Sequence, residues 1–196
     1  SSGSNCLVIE DAFVPDHRMR RVPEVDPDSD QPYRAVAVPL ALLGPQLGLG
    51  RAVLELVMRS SPNKPIAYTS IERRSDWVAF RLDIAKAAMR LDTADLFAAR
   101  AAADMDSIDR LGRPLDRCTR SRVRTDIGWA VDNITEAIGL LLNAAGSGVF
   151  AESNPIQRFW RDQAIVARHG YVSPPLAYEI YGSALLGVED TTATIL

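Results

Sequence analysis

The segment NPIQRFWRDQAIVARHG, residues 154–170, concentrates side chains that could take part in acid–base chemistry. It carries three arginines and one aspartate and includes His169, one of two histidines in the chain. An imidazole titrates near neutral pH and can accept a proton from a substrate hydroxyl. His169 is therefore a candidate base, and the alternative is a histidine packed in the core. Arg158 is a candidate cofactor ligand, whereas Arg161 and Asp162 are expected to form ion pairs that fix geometry.

A short run of small residues, AGSGVF, precedes that segment at residues 145–150. Small side chains let backbone N–H groups come close to a phosphate or to the edge of a planar ring. The run is therefore a candidate cofactor-binding loop, with Gly146, Ser147, Gly148 and Val149 as its contact residues. The alternative is an ordinary helix end that has Gly146 as its C-cap.

Charge and cysteine usage narrow the class of protein. The formal net charge is −3 and the isoelectric point is about 5.4, so there is no overall attraction to nucleic acid or acidic lipid. Cys6 and Cys118 are far apart and lie in no disulfide or metal-binding pattern. No apolar run approaches the roughly 20 residues that span a bilayer, and the N-terminus does not resemble a signal peptide. We therefore expect a cytoplasmic protein without a metal site.

Arginines cluster between Arg110 and Arg124, which could indicate a basic binding patch. However, Asp109, Asp116 and Asp126 are interleaved with them. Alternating charges of this kind are typical of a solvated or salt-bridged helix face, and that is the expectation here.

The N-terminal residues 5–14, NCLVIEDAFV, are expected to form a strand, because apolar positions recur along the run and Pro15 ends it. An isolated strand has no partner for its backbone hydrogen bonds. It therefore either belongs to a sheet that the chain does not wholly contain or pairs with another chain. The proline- and acid-rich residues that follow predict a linker.

Helical patterns occupy the rest of the chain. Residues 36–60 are apolar almost all round, which predicts a helix buried on several sides, with a kink or close helix packing near Pro45 and its neighbouring glycines. Apolar spacings of three and four predict the other helices: from an N-cap at Ser70 to about residue 103, from about Leu115 to Ala145, from Pro155 to about His169, and from Pro174 to near Gly182 or Gly187. Together they predict a mainly α protein with an antiparallel four-helix bundle.

Several motifs resemble the C-terminal part of the acyl-CoA dehydrogenase superfamily, and most of all its flavin-dependent monooxygenase branch (the group D two-component hydroxylases). Residues 145–150 resemble the family's A-G-G/S-x-x-x-F/Y loop, and residues 154–162 resemble N/S-P-L-Q-R-x-W-R-D, with His169 seven residues on. Residues 181–187 resemble Y-G-x-x-L-L-G. The N-terminal SSGSNCLVIEDAFVPDHR resembles the segment that closes the family's central β-domain.

This resemblance implies a division of the chain and a larger whole. Residues 1–22 would be the tail of the central β-domain, 23–34 a linker, and 35–196 the C-terminal helical bundle. Complete members carry an N-terminal half before this region, and their flavin lies between the β-domain and the bundle. The chain is therefore expected to hold only part of a flavin site.

The resemblance also implies an activity. A reduced flavin (FMN or FAD), supplied by a separate reductase, would be used with O2 to hydroxylate an aromatic or similarly electron-rich small molecule. His169 would act beside the reactive edge of the flavin, the 146–149 loop and Arg158 would bind the cofactor, and the bundle would assemble as a homotetramer. No nucleic acid or membrane partner is expected.

Two alternatives remain open. One is an acyl-CoA dehydrogenase, which removes an α-proton with a carboxylate, often in a Y-E-G-T stretch. Here the corresponding stretch is AYEIYGS, in which no glycine follows Glu179, and this counts against that reaction. The other alternative is a non-catalytic oligomerisation or partner subunit, because the bundle can associate without binding flavin.

Overall fold

The computed structural model describes residues 6–19, 32–111 and 115–188. In these ranges the chain forms five α-helices: α1 (Pro32–Ser60), α2 (Val78–Leu111), α3 (Arg117–Ala145), α4 (Pro155–Val166) and α5 (Pro174–Leu186). Short 3-10 turns lie at Asp16–Arg18, Arg74–Asp76 and Ser147–Phe150. The mainly helical prediction is confirmed.

Helices α2 and α3 form an antiparallel hairpin that is held by ion pairs. Arg122 Nη2 lies 2.7 Å from Asp104 Oδ2, and Arg100 Nε donates to Asp126 Oδ2 over 2.8 Å. Further along the hairpin, Arg90 pairs with Glu136. As the residue number falls on α2 it rises on α3, so the helices run in opposite directions.

These pairs also bear on the arginine cluster. The salt-bridged face is confirmed for Arg122 and Asp126. Asp116 instead caps α3, because its carboxylate accepts from the Thr119 N–H over 3.0 Å. The Asp109 side chain lies outside the described residues.

Helix α3 is the centre of the molecule. It contacts α1, α2, α4 and α5, whereas α4 and α5 have no contact with each other among the described residues. Its inward face is mostly apolar, interrupted by the buried side chains of Arg124 and Asp126, and supplies much of the core: Val123, Ile127, Ala130, Val131, Ile134, Ala137, Ile138, Leu141 and Leu142. Helices α1, α2 and α5 pack mainly on α3, whereas α4 packs mainly on α1.

Close packing near the glycines of α1 is confirmed at Gly50. A Cβ there would lie 2.6 Å from Leu91 Cδ2 and 3.4 Å from Ile134 Cγ2, so the backbone of α1 approaches both α2 and α3 directly. Beside this contact, Arg51 Nη2 donates to Asp92 Oδ1 over 2.7 Å. Only glycine allows this approach without moving a core side chain.

By length and composition alone, the part of α1 from Ala37 to Ser60 is apolar enough to cross a membrane. The prediction that no apolar run approaches the length of a bilayer span is therefore wrong for this helix. The core helix of a globular protein can have the same length and composition. Helix α1 contacts α2, α3 and α4, but only 33% of this apolar segment is buried in the described structure.

Helix α4 is fixed to the bundle by a buried polar contact. The side chain of Gln163 is buried and its Nε2 donates to Thr135 Oγ1 of α3 over 2.9 Å. Gln46 of α1, which is also buried, lies against Gln163 at 3.5 Å. Because these groups are satisfied only in this arrangement, they specify how α4 sits on α1 and α3.

Two of the expected elements are different in the structure. Residues 6–14 do not form a strand, because no partner strand exists in the described part of the chain. Ser70 does not cap a helix, since α2 begins at Val78 and continues to Leu111. The backbone of the intervening loop is bonded elsewhere, with Arg74 N donating to Lys64 O and Ser75 N to Pro62 O, each over 3.0 Å.

Other boundaries agree more closely. Asn154 caps α4, Pro155 opens it, and Gly187 ends α5 in the left-handed conformation. Helix α4 stops at Val166 rather than near His169. Most of the expected linker, residues 23–34, lies outside the described residues.

Candidate functional site

His169 lies in the turn between α4 and α5, three residues beyond the end of α4. The turn is built by tight backbone hydrogen bonds, in which His169 N donates to Val166 O over 3.0 Å and Val172 N donates to His169 O over 2.9 Å. The side chain of Val172 is buried in the core, whereas His169 is exposed. The structure therefore does not support a histidine packed in the core.

The imidazole of His169 has a defined orientation. Its Nδ1 accepts a hydrogen bond from the Tyr171 N–H over 3.2 Å. Its ring stacks on the Tyr171 ring, with centroids 5.4 Å apart and 27° between the planes. Since Nδ1 is the acceptor, a neutral imidazole carries its proton on Nε2. In this conformation His169 offers an N–H donor at Nε2, and base chemistry there would require the other tautomer.

Arg124 lies beneath this turn, and the prediction of a solvated or salt-bridged face is wrong for it, because it is buried and forms no ion pair with the described residues. It is 5% exposed on α3, and its Nη2 donates to Gly170 O over 3.0 Å. Its guanidinium carbon lies 5.9 Å from the centre of the Tyr171 ring, within the range of a cation–π contact. Its Nε is buried without a hydrogen-bond partner. Burial lowers the pKa of this guanidinium, and the nearby Tyr171 opposes that shift.

The candidate cofactor loop begins at the end of α3. Gly146 is the C-cap of α3, with φ at 77°, and its N–H donates to Leu142 O over 2.9 Å. A Cβ at Gly146 would lie 3.0 Å from an Arg74 nitrogen. Arg74 itself donates to Ala144 O over 3.2 Å and to Ala145 O, so it neutralises the carbonyl end of α3. Arg74 is a residue that the sequence reading missed.

The remaining loop residues differ in exposure. Ser147 and Gly148 are exposed, and the space where a Gly148 side chain would stand is open. Val149 is buried in the core, so its side chain faces the protein. Asn154 ties the loop to α4, because its Nδ2 donates to Gly148 O over 3.3 Å while its Oδ1 accepts from the Ile156 N–H over 3.0 Å.

Arg158 stands at the N-terminal end of α4 and is free to reach a ligand. Its side chain is 71% exposed, and its Nε lies 3.8 Å from Asp162 Oδ2, which is a loose ion pair. It lines a depression of about 380 Å³ that also includes Glu152 and Asn154. A larger groove of about 800 Å³ lies between α2 and α3 and contains none of the candidate residues.

The candidate residues are thus divided between the two ends of α4. The 146–149 loop and Arg158 lie at its beginning, and His169 lies beyond its end. A helix rises about 1.5 Å per residue, so α4 separates the two groups by roughly 18 Å. The structure therefore does not bring the two groups together. Ser147, Gly148 and Arg158 are exposed, whereas the buried Val149 can contribute only its backbone.

Comparison with known proteins places this geometry in a family. The family model for the acyl-CoA dehydrogenase C-terminal domain matches residues 40–174. Among curated proteins, the chain is 25% identical over 205 residues to the flavin-dependent monooxygenase oxygenase subunit HsaA of Rhodococcus jostii (strain RHA1), covering 99% of this chain and 54% of that protein. It is 26% identical over 199 residues to HsaA of Mycobacterium tuberculosis (strain ATCC 25618 / H37Rv), covering 95% and 50%. The chain thus spans about half the length of these relatives.

Solved structures agree. XiaF from a Streptomyces species, determined in complex with FADH2 and glycerol, is 33% identical, has a TM-score of 0.78, and is matched over 83% of this chain and 41% of its own. The 3-HSA hydroxylase from Rhodococcus sp. RHA1 is 23% identical with a TM-score of 0.72, over 83% of this chain and 41% of its own, and supports the fold alone. From its family match and its helical architecture, this chain belongs to the acyl-CoA dehydrogenase C-terminal domain family.

Proposed function

We propose that the complete protein is the oxygenase component of a flavin-dependent monooxygenase. It would hydroxylate an aromatic or similarly electron-rich small molecule with O2 and a reduced flavin supplied by a separate reductase. The observation that carries this proposal is the similarity to an oxygenase subunit of that class over 99% of the chain. The chain covers about half of such a relative, so the N-terminal half would complete the site.

The cofactor would be held at the N-terminal end of α4. The exposed residues Ser147 and Gly148 and the exposed cation of Arg158 are suited to an anionic group, and Gly146 keeps the chain close to α3. The XiaF structure contains FADH2, which makes reduced FAD the first cofactor to test and FMN the second. When bound, the reduced flavin supplies the activation of dioxygen.

His169 would act on the substrate. Its Nε2–H is suited to donate to the oxygen of a substrate hydroxyl, which stabilises the deprotonated form of that hydroxyl and makes the ring more nucleophilic. Its role as a base is the other form of this proposal and requires a proton on Nδ1. If His169 acts as a donor, a side chain with an N–H that does not titrate can replace it. If His169 acts as a base, such a side chain cannot.

The partners follow from the same proposal. A homotetramer is proposed because α2 carries a row of exposed apolar side chains: Val78, Leu82, Met89 and Leu96. These residues are spaced by four and seven and therefore share one helix face. A small-molecule substrate and a diffusible reductase complete the set, and a cytoplasmic location is proposed.

The activity is tested with the complete protein. Pre-reduced FAD or FMN, 18O2 and a panel of phenols are mixed in a single turnover, and products are analysed by mass spectrometry. The expected result is one 18O atom in a hydroxylated product. Dehydrogenation of an acyl thioester without oxygen incorporation would instead establish the dehydrogenase alternative. Stable assembly with neither reaction would establish a partner subunit.

A further inference from the structure

The buried guanidinium of Arg124 is not explained by packing. It lies on the inward face of α3, three residues before Ile127, where a core would accept an apolar side chain. Among the described residues it forms no ion pair, and its Nε has no hydrogen-bond partner. A buried charge in such surroundings destabilises the fold. A reason for its presence must therefore be sought in what it contacts.

Its hydrogen bond and its cation–π contact both lie in the turn that carries His169. Arg124 Nη2 donates to Gly170 O over 3.0 Å, and its guanidinium carbon lies 5.9 Å from the Tyr171 ring centre. The Tyr171 ring in turn stacks on the His169 imidazole at 5.4 Å, and the Tyr171 N–H donates to His169 Nδ1 over 3.2 Å. Arg124, Tyr171 and His169 are thus linked by successive contacts from the buried to the exposed side of the turn.

Within the described part of the chain, the turn is restrained by its own backbone hydrogen bonds, by Val172 and by Arg124. Helices α4 and α5 do not contact each other, so the turn bridges two elements that are attached separately to the bundle. Val172 anchors the C-terminal side of the turn in the core. The hydrogen bond from Arg124 is the side-chain bond seen between α3 and the centre of the turn.

We infer that Arg124 is a positioning residue for His169. From the interior it fixes Gly170 and Tyr171, and these hold the imidazole with Nδ1 on the Tyr171 N–H and Nε2 free. The purpose of this arrangement rests on the proposed function, because His169 is there the group that meets the substrate. The arrangement itself can be tested without any activity.

The two histidines make this test clean. In this chain, labelled with 15N-histidine, ring protons stacked on Tyr171 should resonate upfield, whereas those of the exposed His17 serve as an internal reference. We expect Arg124→Met to remove this upfield shift, so that the His169 signals approach those of His17. Exchange of the Tyr171 amide should also accelerate. Arg124→Lys, which keeps a cation and a donor, should retain most of the shift.

The matched control is Arg120→Met, one turn earlier on α3. The Arg120 side chain makes no hydrogen bond or ion pair in the described structure, so this variant should leave the His169 shift unchanged. Circular dichroism and the melting temperature are measured for all variants, and Arg124→Met is expected to keep the helicity without lowering the melting temperature. An unchanged His169 shift in Arg124→Met would overturn the inference. Loss of helicity in both Arg124 variants would also overturn it, because Arg124 would then serve the bundle.

Activity separates this inference from the proposed function. In the complete enzyme, Arg124→Met should lower hydroxylation by up to about 10²-fold through misplacement of His169, with flavin binding unchanged. If the His169 shift is lost but hydroxylation stays at the wild-type rate, Arg124 does position His169 and the proposed role of His169 is wrong. If both remain as in wild type, the positioning inference fails.

Discussion

The two nitrogens of His169 are in different surroundings, and this determines which chemistry each can perform. Nδ1 accepts from a backbone N–H that cannot reverse its direction, whereas Nε2 has no partner among the described residues. A side-chain partner could have rotated to suit either tautomer, but a backbone N–H cannot. The proton of a neutral ring is therefore assigned to Nε2 by the fold.

We predict that His169→Ala and His169→Gln will differ in the complete enzyme. If Nε2–H is a donor, His169→Gln keeps an N–H and should retain much of the hydroxylation that His169→Ala loses. The loss for His169→Ala is expected to be about 10²–10⁴-fold, with more oxygen released as hydrogen peroxide. Product yield and peroxide are measured together. Equal losses of hydroxylation in both variants would instead favour a role of His169 as a base.

Arg124 could have been found from the sequence, since its position relative to Ile127 and Val131 places it on the apolar face of α3. A charge on such a face is unusual and points to a specific partner. The partner itself could not be predicted. Tyr171 lies 47 positions further along the chain, in a turn whose path depends on how α4 and α5 pack.

Asp116 illustrates how a single residue sets the boundary of an element. Its carboxylate accepts from the Thr119 hydroxyl and N–H, and these bonds lower the pKa of Asp116. A carboxyl group whose pKa is lowered in the folded state stabilises the fold above its unfolded pKa. That contribution disappears as the pH falls through the folded pKa.

We therefore predict that Asp116→Ala lowers the melting temperature at pH 7, and that its difference from wild type shrinks below about pH 4. Asp116→Asn keeps a capping oxygen without a charge and should therefore lower the melting temperature at pH 7 by less than Asp116→Ala does. Thermal unfolding followed by circular dichroism from pH 3 to pH 7 measures both. A difference that does not vary with pH would contradict the electrostatic explanation.

The helices were predictable where apolar spacing and caps agree. The end of α3 at Ala145, the start of α4 at Pro155 and the end of α5 at Gly187 all carry capping residues in the sequence. The predicted start of α2 was wrong because Ser70 is a good N-cap by type, but the backbone of the following residues Arg74 and Ser75 bonds to Lys64 and Pro62 instead. Such bonds between residues ten or so apart leave no periodic pattern.

The row of exposed apolar residues on α2 predicts an interface between copies. Leu82 and Leu96 are 51% and 71% exposed and lie on the same helix face. We predict that Leu82→Glu with Leu96→Glu yields a smaller assembly than wild type in light scattering, with helicity unchanged, because charges are costly in an apolar interface.

The control for this variant is Arg81→Glu, which places the same side chain about 100° away around α2. Arg81 is exposed, so the Arg81→Glu variant should keep the wild-type assembly. A wild-type chain that is monomeric at micromolar concentration would refute the predicted homotetramer. Unchanged assembly in the double variant would show that this face of α2 is not part of the interface.

Gly128 lies where α3 packs against the start of α5. A Cβ there would lie 2.8 Å from Ala177 Cβ and 3.3 Å from Pro174 Cα, so Gly128→Ala should push the start of α5 outward, at a cost of about 1–3 kcal/mol. The His169 turn connects α4 to α5. A shift of the start of α5 should therefore change the geometry of the turn, and the NMR signals of the His169 ring should shift although its neighbours in sequence are unchanged. Substitutions in the middle of α3 would then change the position of His169 without contacting it. A helical bundle would in this way change its chemistry through residues that do not contact the substrate.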